Sequence, residues 1–159
     1  MNRAIVVTHT LLGLLTLAAC APSADTRPDT AARPTVTASA QAGGIPAGTY
    51  TTTLTKADLA SRVPAEQVDS LVGVWTQTHD STGRFVVRWK GAQVVEAVAK
   101  PMPDGQIYLD DKDTGPYACH LPATYRYSVS GDSLTFVKVS DECAGRAAVL
   151  TAHPHKRGS

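Results

Sequence analysis

Short strand-like segments follow one another from Gly48 almost to the end of the chain, and this succession limits the fold more than any other feature. They are rich in β-branched and aromatic residues, and turns containing glycine, proline or aspartate separate them. In segment 84–90, Phe85, Val87 and Trp89 alternate with mostly polar side chains, the period-two pattern of a half-buried strand. The segments cover residues 48–54, 73–79, 84–90, 93–99, 106–109, 125–129, 134–139 and 147–152.

About eight strands joined mostly by short turns predict an all-β fold, an eight-stranded antiparallel up-and-down barrel, because closure removes the exposed sheet edges. A two-sheet sandwich is the alternative. The interior of such a barrel holds side chains or one small ligand. Helix is expected only near the start of the barrel, where Thr55 and Asp58 form a capping pattern and Pro64 suits a first helical turn.

The first 19 residues have the form of an export signal: Arg3, an apolar stretch shorter than the roughly 20 residues of a bilayer span, and small residues. Leu17-Ala18-Ala19-Cys20 resembles the lipobox of bacterial lipoproteins. The resemblance implies cleavage before Cys20, a diacylglycerol on its sulfur, and an anchor on the extracytoplasmic face of the cell membrane. A secreted protein with an incidental cysteine is the alternative.

Residues 20–45 are predicted to be the lipidated cysteine followed by a disordered tether. Segment 21–45 is small and polar and contains no aromatic residue, so it cannot bury enough apolar area to fold. As a flexible coil it would extend over roughly 25–30 Å. Residues 46–159 then form one domain of ordinary size.

The charge balance excludes one class of partner. The chain has 15 basic and 14 acidic residues, and removing the signal segment takes away Arg3. A net charge near zero gives no long-range field to attract nucleic acid, so the membrane is expected to be reached only through the lipid. Asp110, Asp111 and Asp113, interrupted by Lys112, are predicted to be a solvated turn.

With Cys20 lipidated, Cys119 and Cys143 remain as an even pair outside the cytoplasm, which predicts a disulfide. The alternative is a pair of metal-binding thiols helped by His120. The chain has no further Cys-x-x-Cys or His-x-x-His pair to complete a zinc site, so no metal is expected.

Gly73-Val74-Trp75 resembles the Gly-x-Trp signature of lipocalins and the wider calycin group. In that family an arginine from late in the chain lies across the tryptophan, and Arg146 is the matching residue, which implies a structural cation–π contact with Trp75. The chain also resembles lipocalin-like domains of actinobacterial lipoproteins, in Gly48–Leu59, in Tyr125-x-Tyr127, in the turn at Gly131-Asp132 and in the stretch from Asp141 to Arg146. The Thr-Asp-Tyr motif of lipocalins is missing.

The resemblance implies a ligand pocket inside the barrel. If Trp75 points inward, alternation puts Gln77 and His79 on the same face, although we expect His79, beside Asp80, to lie at the solvated rim. Aromatic side chains could line the pocket or be simple core, and core is the expectation. The pocket candidates are Gln77, His79, Phe85, Trp89, Tyr125 and Tyr127.

The sequence predicts no catalytic residue, no cofactor and therefore no enzyme. It lacks a Gly-x-Ser-x-Gly elbow and a phosphate-binding glycine loop, and a disulfide would leave no free thiol. His153 and His155 are expected to be solvated. The first hypothesis is a monomeric barrel that binds a small, partly apolar ligand. The second is a packed barrel that acts through protein–protein contacts, with loops 101–105 and 110–117 as its working surface.

Overall fold

A computed structural model describes residues 44–111 and 117–158. The predicted signal segment, Cys20 and the tether up to residue 43 lie outside the described residues. Ile45, the last residue of the predicted tether, packs against the core.

The strands form a closed antiparallel barrel in sequence order, from β1 to β8 and back to β1, which confirms the predicted fold class and excludes the sandwich. Chain order and spatial order coincide because short connections join most neighbouring strands. The strands are β1 (Gly48–Leu54), β2 (Gly73–His79), β3 (Arg84–Trp89), β4 (Ala92–Met102), β5 (Gln106–Asp111), β6 (Ala123–Ser130), β7 (Ser133–Ser140) and β8 (His155–Arg157).

In the part of the chain that the structure describes, three short α-helices accompany the strands: α1 (Lys56–Leu59), α2 (Ala65–Leu71) and α3 (Ala144–Thr151). Thr55 caps α1 in a reciprocal capping box with Asp58, as predicted, and Pro64 immediately precedes α2. We call the end of the barrel where β1 stops and β2 begins the helical end, since α1 and α2 connect these strands there and α3 contacts α2. The opposite end, with the turns after β2, β4 and β6, is the turn end.

The predicted last strand, 147–152, is wrong: residues 147–151 belong to α3, Ala152 is the C-cap of this helix, and the eighth strand follows. Four consecutive residues from Ala147 to Leu150 are buried, so the run has no period-two alternation. A short apolar run of this kind does not distinguish strand from helix, and alanine and leucine are strong helix formers. Helix α3 packs against β7 and α2, which lets its buried side chains reach the interior of the barrel.

The interior is a packed core of aliphatic and aromatic side chains from all strands but β8, and from the helices. Phe85 and Val87 point inward as the alternation predicts, and a bulge between Val87 and Arg88 shifts the register before Trp89, which is only partly buried. The small side chains of β4 are paired with larger ones on the neighbouring strands, Ala97 with Phe85 and Ala99 with Leu109. The core therefore contains large side chains that fill the interior, such as Phe85, and small ones that leave room, such as Ala97.

Candidate functional site

Two tryptophans join helix α2 to the helical end of the barrel. The Trp75 indole donates to the carbonyl of Leu71 at 2.8 Å, and Trp89 donates to the carbonyl of Val72 at 3.2 Å. These carbonyls belong to the last turn of α2, whose oxygens have no partner within the helix. The residue that follows Val72 must be glycine. The φ of Gly73 is +131°, and a Cβ there would lie 3.0 Å from Lys90 Cε.

Arg146 on α3 is the centre of a buried ion-pair network. It binds Asp141 through Nε and Nη2, both at 2.8 Å, and Asp111 through Nη1 at 3.2 Å. Its remaining hydrogen bonds reach the carbonyls of Cys119 and Leu121. The side chains of Arg146, Asp111 and Asp141 are 9 %, 2 % and 0 % exposed, so the charges lie out of water.

The two carboxyl groups of this network have opposite pKa shifts. Burial alone would raise the pKa of Asp141, but hydrogen bonds from Arg146 and Tyr125 hold it below its usual value. Burial raises the pKa of Asp111, and the backbone N–H of Cys119 and the more distant Arg146 contact do not offset it. The Tyr125 hydroxyl donates to Asp141 and, being buried, has a raised pKa.

The disulfide between Cys119 and Cys143 joins two chain segments that both contact the ion-pair network. The backbone N–H of Cys119 donates to Asp111 at 2.7 Å, and that of Cys143 donates to Asp141 at 2.8 Å. The pairing agrees with the prediction from cysteine number. The covalent bond thus fixes the two chain segments whose backbone groups hold the carboxylates.

A cavity of about 60 Å³ lies beneath this network, between the barrel interior and helices α2 and α3. Most of its wall is apolar, and its polar members come from four different elements. Its lining residues include Leu71, Trp75, Gln77, Phe85, Asp111, Tyr117, Arg146 and His155.

Three buried polar atoms have no hydrogen-bond partner among the residues that the structure describes: Gln77 Nε2, Asp111 Oδ1 and His155 Nδ1. All three residues line the same cavity. Gln77 and His155 are only 2 % and 1 % exposed. Because an unpaired buried polar group costs about 1–3 kcal/mol, three of them around one cavity indicate a place for a polar occupant.

The hydrogen-bonding roles of two of these atoms follow from their neighbours. Gln77 Oε1 lies 3.1 Å from His79 Nε2, and because this oxygen can only accept, the amide Nε2 is left as an unpaired donor. His155 Nε2 donates to the carbonyl of Leu150 at 3.2 Å. Burial lowers the pKa of His155 to about 4, so its Nδ1 is an unprotonated acceptor at neutral pH.

His79 lies in the interior, which corrects the expectation of a solvated rim position. It is buried, stacks on Phe85 with ring centroids 4.6 Å apart, and meets Tyr50 edge-on. Burial and the nearby His155 lower its pKa to about 3. Alternation from Trp75 along β2 therefore outweighed the proximity of the Asp80 turn.

A second, larger hollow of about 400 Å³ lies at the turn end. The chain segment 44–47 and the turn after β2 form much of its wall, and His79 is the buried imidazole that lines it. None of the three unpaired atoms belongs to a residue of this wall. The observation that indicates a ligand is therefore confined to the helical end.

Only two of the six predicted pocket residues, Gln77 and Phe85, line the cavity at the helical end. Trp89 lies behind its wall, in contact with Trp75 and Tyr117, while Tyr125 is a core residue bonded to Asp141. Tyr127 is also core, as is His79, which faces the other hollow.

The predicted cation–π contact between Trp75 and Arg146 is replaced by other partners. Trp75 packs against Trp89 and Tyr117, and Arg146 is bound by two carboxylates. Among the described residues the cation–π contacts pair Lys90 with Trp89, Lys100 with Tyr108 and Arg157 with Tyr50. Trp75 and Arg146 nevertheless both line the cavity.

Sequence reasoning missed Asp111 and His155. Asp111 ends strand β5 with its side chain buried, so the predicted solvated turn is wrong at this position. His155 is buried in β8, which corrects the expectation that both terminal histidines are solvated, whereas His153 is partly exposed and lies 2.9 Å from Asp58. One local signal pointed to Asp111. In Ile107-Tyr108-Leu109-Asp110-Asp111 it follows Ile107 and Leu109 at steps of two residues, so alternation puts it on the same face of the strand as these apolar side chains.

Within residues 44–111 and 117–158, no group of three or more His, Cys, Asp or Glu side chains is arranged to hold a metal ion. The same residues include no helix with the length and apolar character of a membrane span. The chain matches no protein-family model, no curated protein and no solved structure at a significant level.

Proposed function

We propose that this protein is a lipid-anchored, extracytoplasmic, lipocalin-like barrel that binds a small, partly apolar molecule in the cavity at the helical end. The single observation that carries the binding proposal is that Gln77, Asp111 and His155, each with one unpaired buried polar atom, all line one cavity. A closed eight-stranded barrel with Gly73 and Trp75 at the start of β2 supports the lipocalin-like class.

The cavity walls define the size and character of the ligand. A volume of about 60 Å³ is well below the roughly 150 Å³ of an apolar cavity that holds benzene, so the ligand has only a few heavy atoms. Leu71, Trp75 and Phe85 supply apolar surface, and the three unpaired atoms orient a polar group. No residue of this cavity is assigned a catalytic role, and the protein works by binding as a monomer.

We expect native mass spectrometry of the full-length protein, analysed in the unfractionated extract of its original host so that a weakly held molecule is not diluted away, to reveal a bound small molecule. Replacement Gln77→Leu removes the amide donor while keeping side-chain size, and the molecule should then be lost. Gln93→Leu, at an exposed position on β4, is the matched control and should retain it. A wild-type cavity that contains only ordered water in a high-resolution crystal structure would contradict the binding proposal.

The anchor is tested separately. Cys20→Ser removes the sulfur that would carry the diacylglycerol, so the protein should move from the membrane fraction to the soluble fraction. Ser23→Ala, which leaves Leu17–Cys20 intact, is the control and should stay with the membrane. Retention of the Cys20→Ser variant in the membrane fraction would refute the anchor.

One observation favours the second candidate, a packed barrel that acts through contact with another protein. Val137 and Val139 are exposed side chains two residues apart on β7, and Met102 is exposed beside the turn after β4. The same native mass spectra distinguish the candidates, because an empty cavity together with a bound protein would favour this one.

A further inference from the structure

The network above the cavity contains one positive and two negative side chains. Among the described residues, Asp111 and Asp141 both pair with Arg146, and all three side chains are at least nine-tenths buried. With both carboxyl groups ionised, one negative charge is left without a counter-charge from the side chains that the structure describes. A buried charge of this kind is costly unless it is paired.

The hydrogen bonds place the unbalanced charge on Asp111. Both oxygens of Asp141 are used, by two nitrogens of Arg146, the backbone N–H of Cys143 and the Tyr125 hydroxyl. Asp111 Oδ2 accepts from Cys119 and Arg146, but Oδ1 accepts from no described residue. Asp111, which carries this oxygen, belongs to the wall of the cavity.

The other two unpaired atoms require a group that both accepts and donates. Gln77 Nε2 is a donor, and His155 Nδ1 is an acceptor, as their other hydrogen bonds establish. A hydroxyl group satisfies both types of atom, since it carries one donor and two acceptor lone pairs. An ammonium group fits Asp111, because it supplies a positive charge and only donors. The Trp75 and Tyr117 rings also suit a cation.

We infer that the cavity selects a small amino alcohol, with its ammonium group at Asp111 Oδ1 and its hydroxyl group between Gln77 Nε2 and His155 Nδ1. This inference rests on the proposed binding function and names the chemical class of the ligand. Four heavy atoms, as in 2-aminoethanol, suit the volume of about 60 Å³. With so few atoms, the dissociation constant is expected to be on the order of tens of micromolar or weaker.

Intrinsic fluorescence provides the test, because Trp75 lines the cavity, Trp89 contacts Trp75, and the chain has only 2 tryptophans. Full-length protein in detergent is titrated at constant ionic strength with 2-aminoethanol, 1,2-ethanediol, glycolate and n-propylamine. The amino alcohol should bind at least tenfold more tightly than the neutral diol or the anion. It should also bind several-fold more tightly than n-propylamine, which lacks the hydroxyl group.

Two variants assign the preferences to residues. Asp111→Asn should bring the affinities for 2-aminoethanol and 1,2-ethanediol within about threefold of each other. Gln77→Leu should remove the preference for 2-aminoethanol over n-propylamine. Asp132→Asn, which changes an exposed carboxylate paired with Lys156, is the control and should bind like the wild type.

The outcomes distinguish failure of the inferred ligand class from failure of the proposed binding function. If the diol or glycolate binds the wild type as tightly as the amine does, the inferred ligand class is overturned while the binding site stands. If no probe binds and no molecule is retained from the host, the proposed function itself fails. Should Asp111→Asn not fold, the four probes on the wild-type protein decide the question by themselves.

Discussion

Replacing Arg146 with methionine will lower the free energy of unfolding by about 3–5 kcal/mol, the cost of removing one partner of a buried ion pair. Methionine keeps much of the side-chain volume, so the loss comes from the two carboxylates of Asp111 and Asp141, which lose their common cation. Urea unfolding followed by circular dichroism measures the change. The slope of the transition should stay the same, since the surface exposed on unfolding is similar.

Arg84→Met is the matched control, because Arg84 also forms a two-bond pair, with Glu96 at 2.9 Å, but its side chain is 52 % exposed. Water screens that pair, and the urea midpoint should hardly change. Adding Asp111→Asn and Asp141→Asn to Arg146→Met should restore part of the lost stability. If Arg146→Met costs no more than Arg84→Met, the buried network does not exist as described.

Reduction of the Cys119–Cys143 disulfide will have the second-largest effect, a loss of about 3–4 kcal/mol in the chain-entropy model for a loop of this length. The two cysteines are separated by 24 positions, and cutting the bond frees the intervening chain in the unfolded state. For a domain of this size the melting temperature should fall on the order of 10 °C. Calorimetry with and without reductant, with thiol labelling to verify reduction, measures it.

The double variant Cys119→Ser and Cys143→Ser separates the bond from other effects of the reductant. It should melt near the reduced wild type and should not respond to reductant. Because backbone groups of Cys119 and Cys143 hold Asp111 and Asp141, reduction should cost less in the Arg146→Met background than in the wild type. Fully reduced wild type with an unchanged melting temperature would argue against a stabilising disulfide.

Seven of the eight strands were predictable because their signal is local. Alternation of inward and outward side chains, as with the buried Trp75 and Gln77 of β2, follows from the pleat of a single strand and needs no knowledge of its neighbours. The α1 capping box is local too, since Thr55 and Asp58 are three residues apart. The eighth strand was missed because His155–Arg157 is too short for a pattern, and the apolar run before it is helical.

The site was predictable only in part. Gln77 follows Trp75 by two positions on β2, so alternation was enough to place it inside. Nothing near Asp111 in the chain indicates that Arg146, 35 positions later, makes its burial tolerable. Likewise, the burial of His155 depends on the short β8 fitting between β7 and β1.

The amino-acid sequence by itself determined seven of the eight strands, the first helix cap and the pairing of Cys119 with Cys143, since periodicity, capping and cysteine number act over short stretches or by counting. The tertiary structure alone decided where the cavity lies and which residues with unpaired polar atoms line it. Gln77, Asp111 and His155 come from three different strands. Closure of the barrel and the docking of α3 bring them together, and burial then sets their hydrogen-bonding needs, because a polar group requires a partner only once water has been removed.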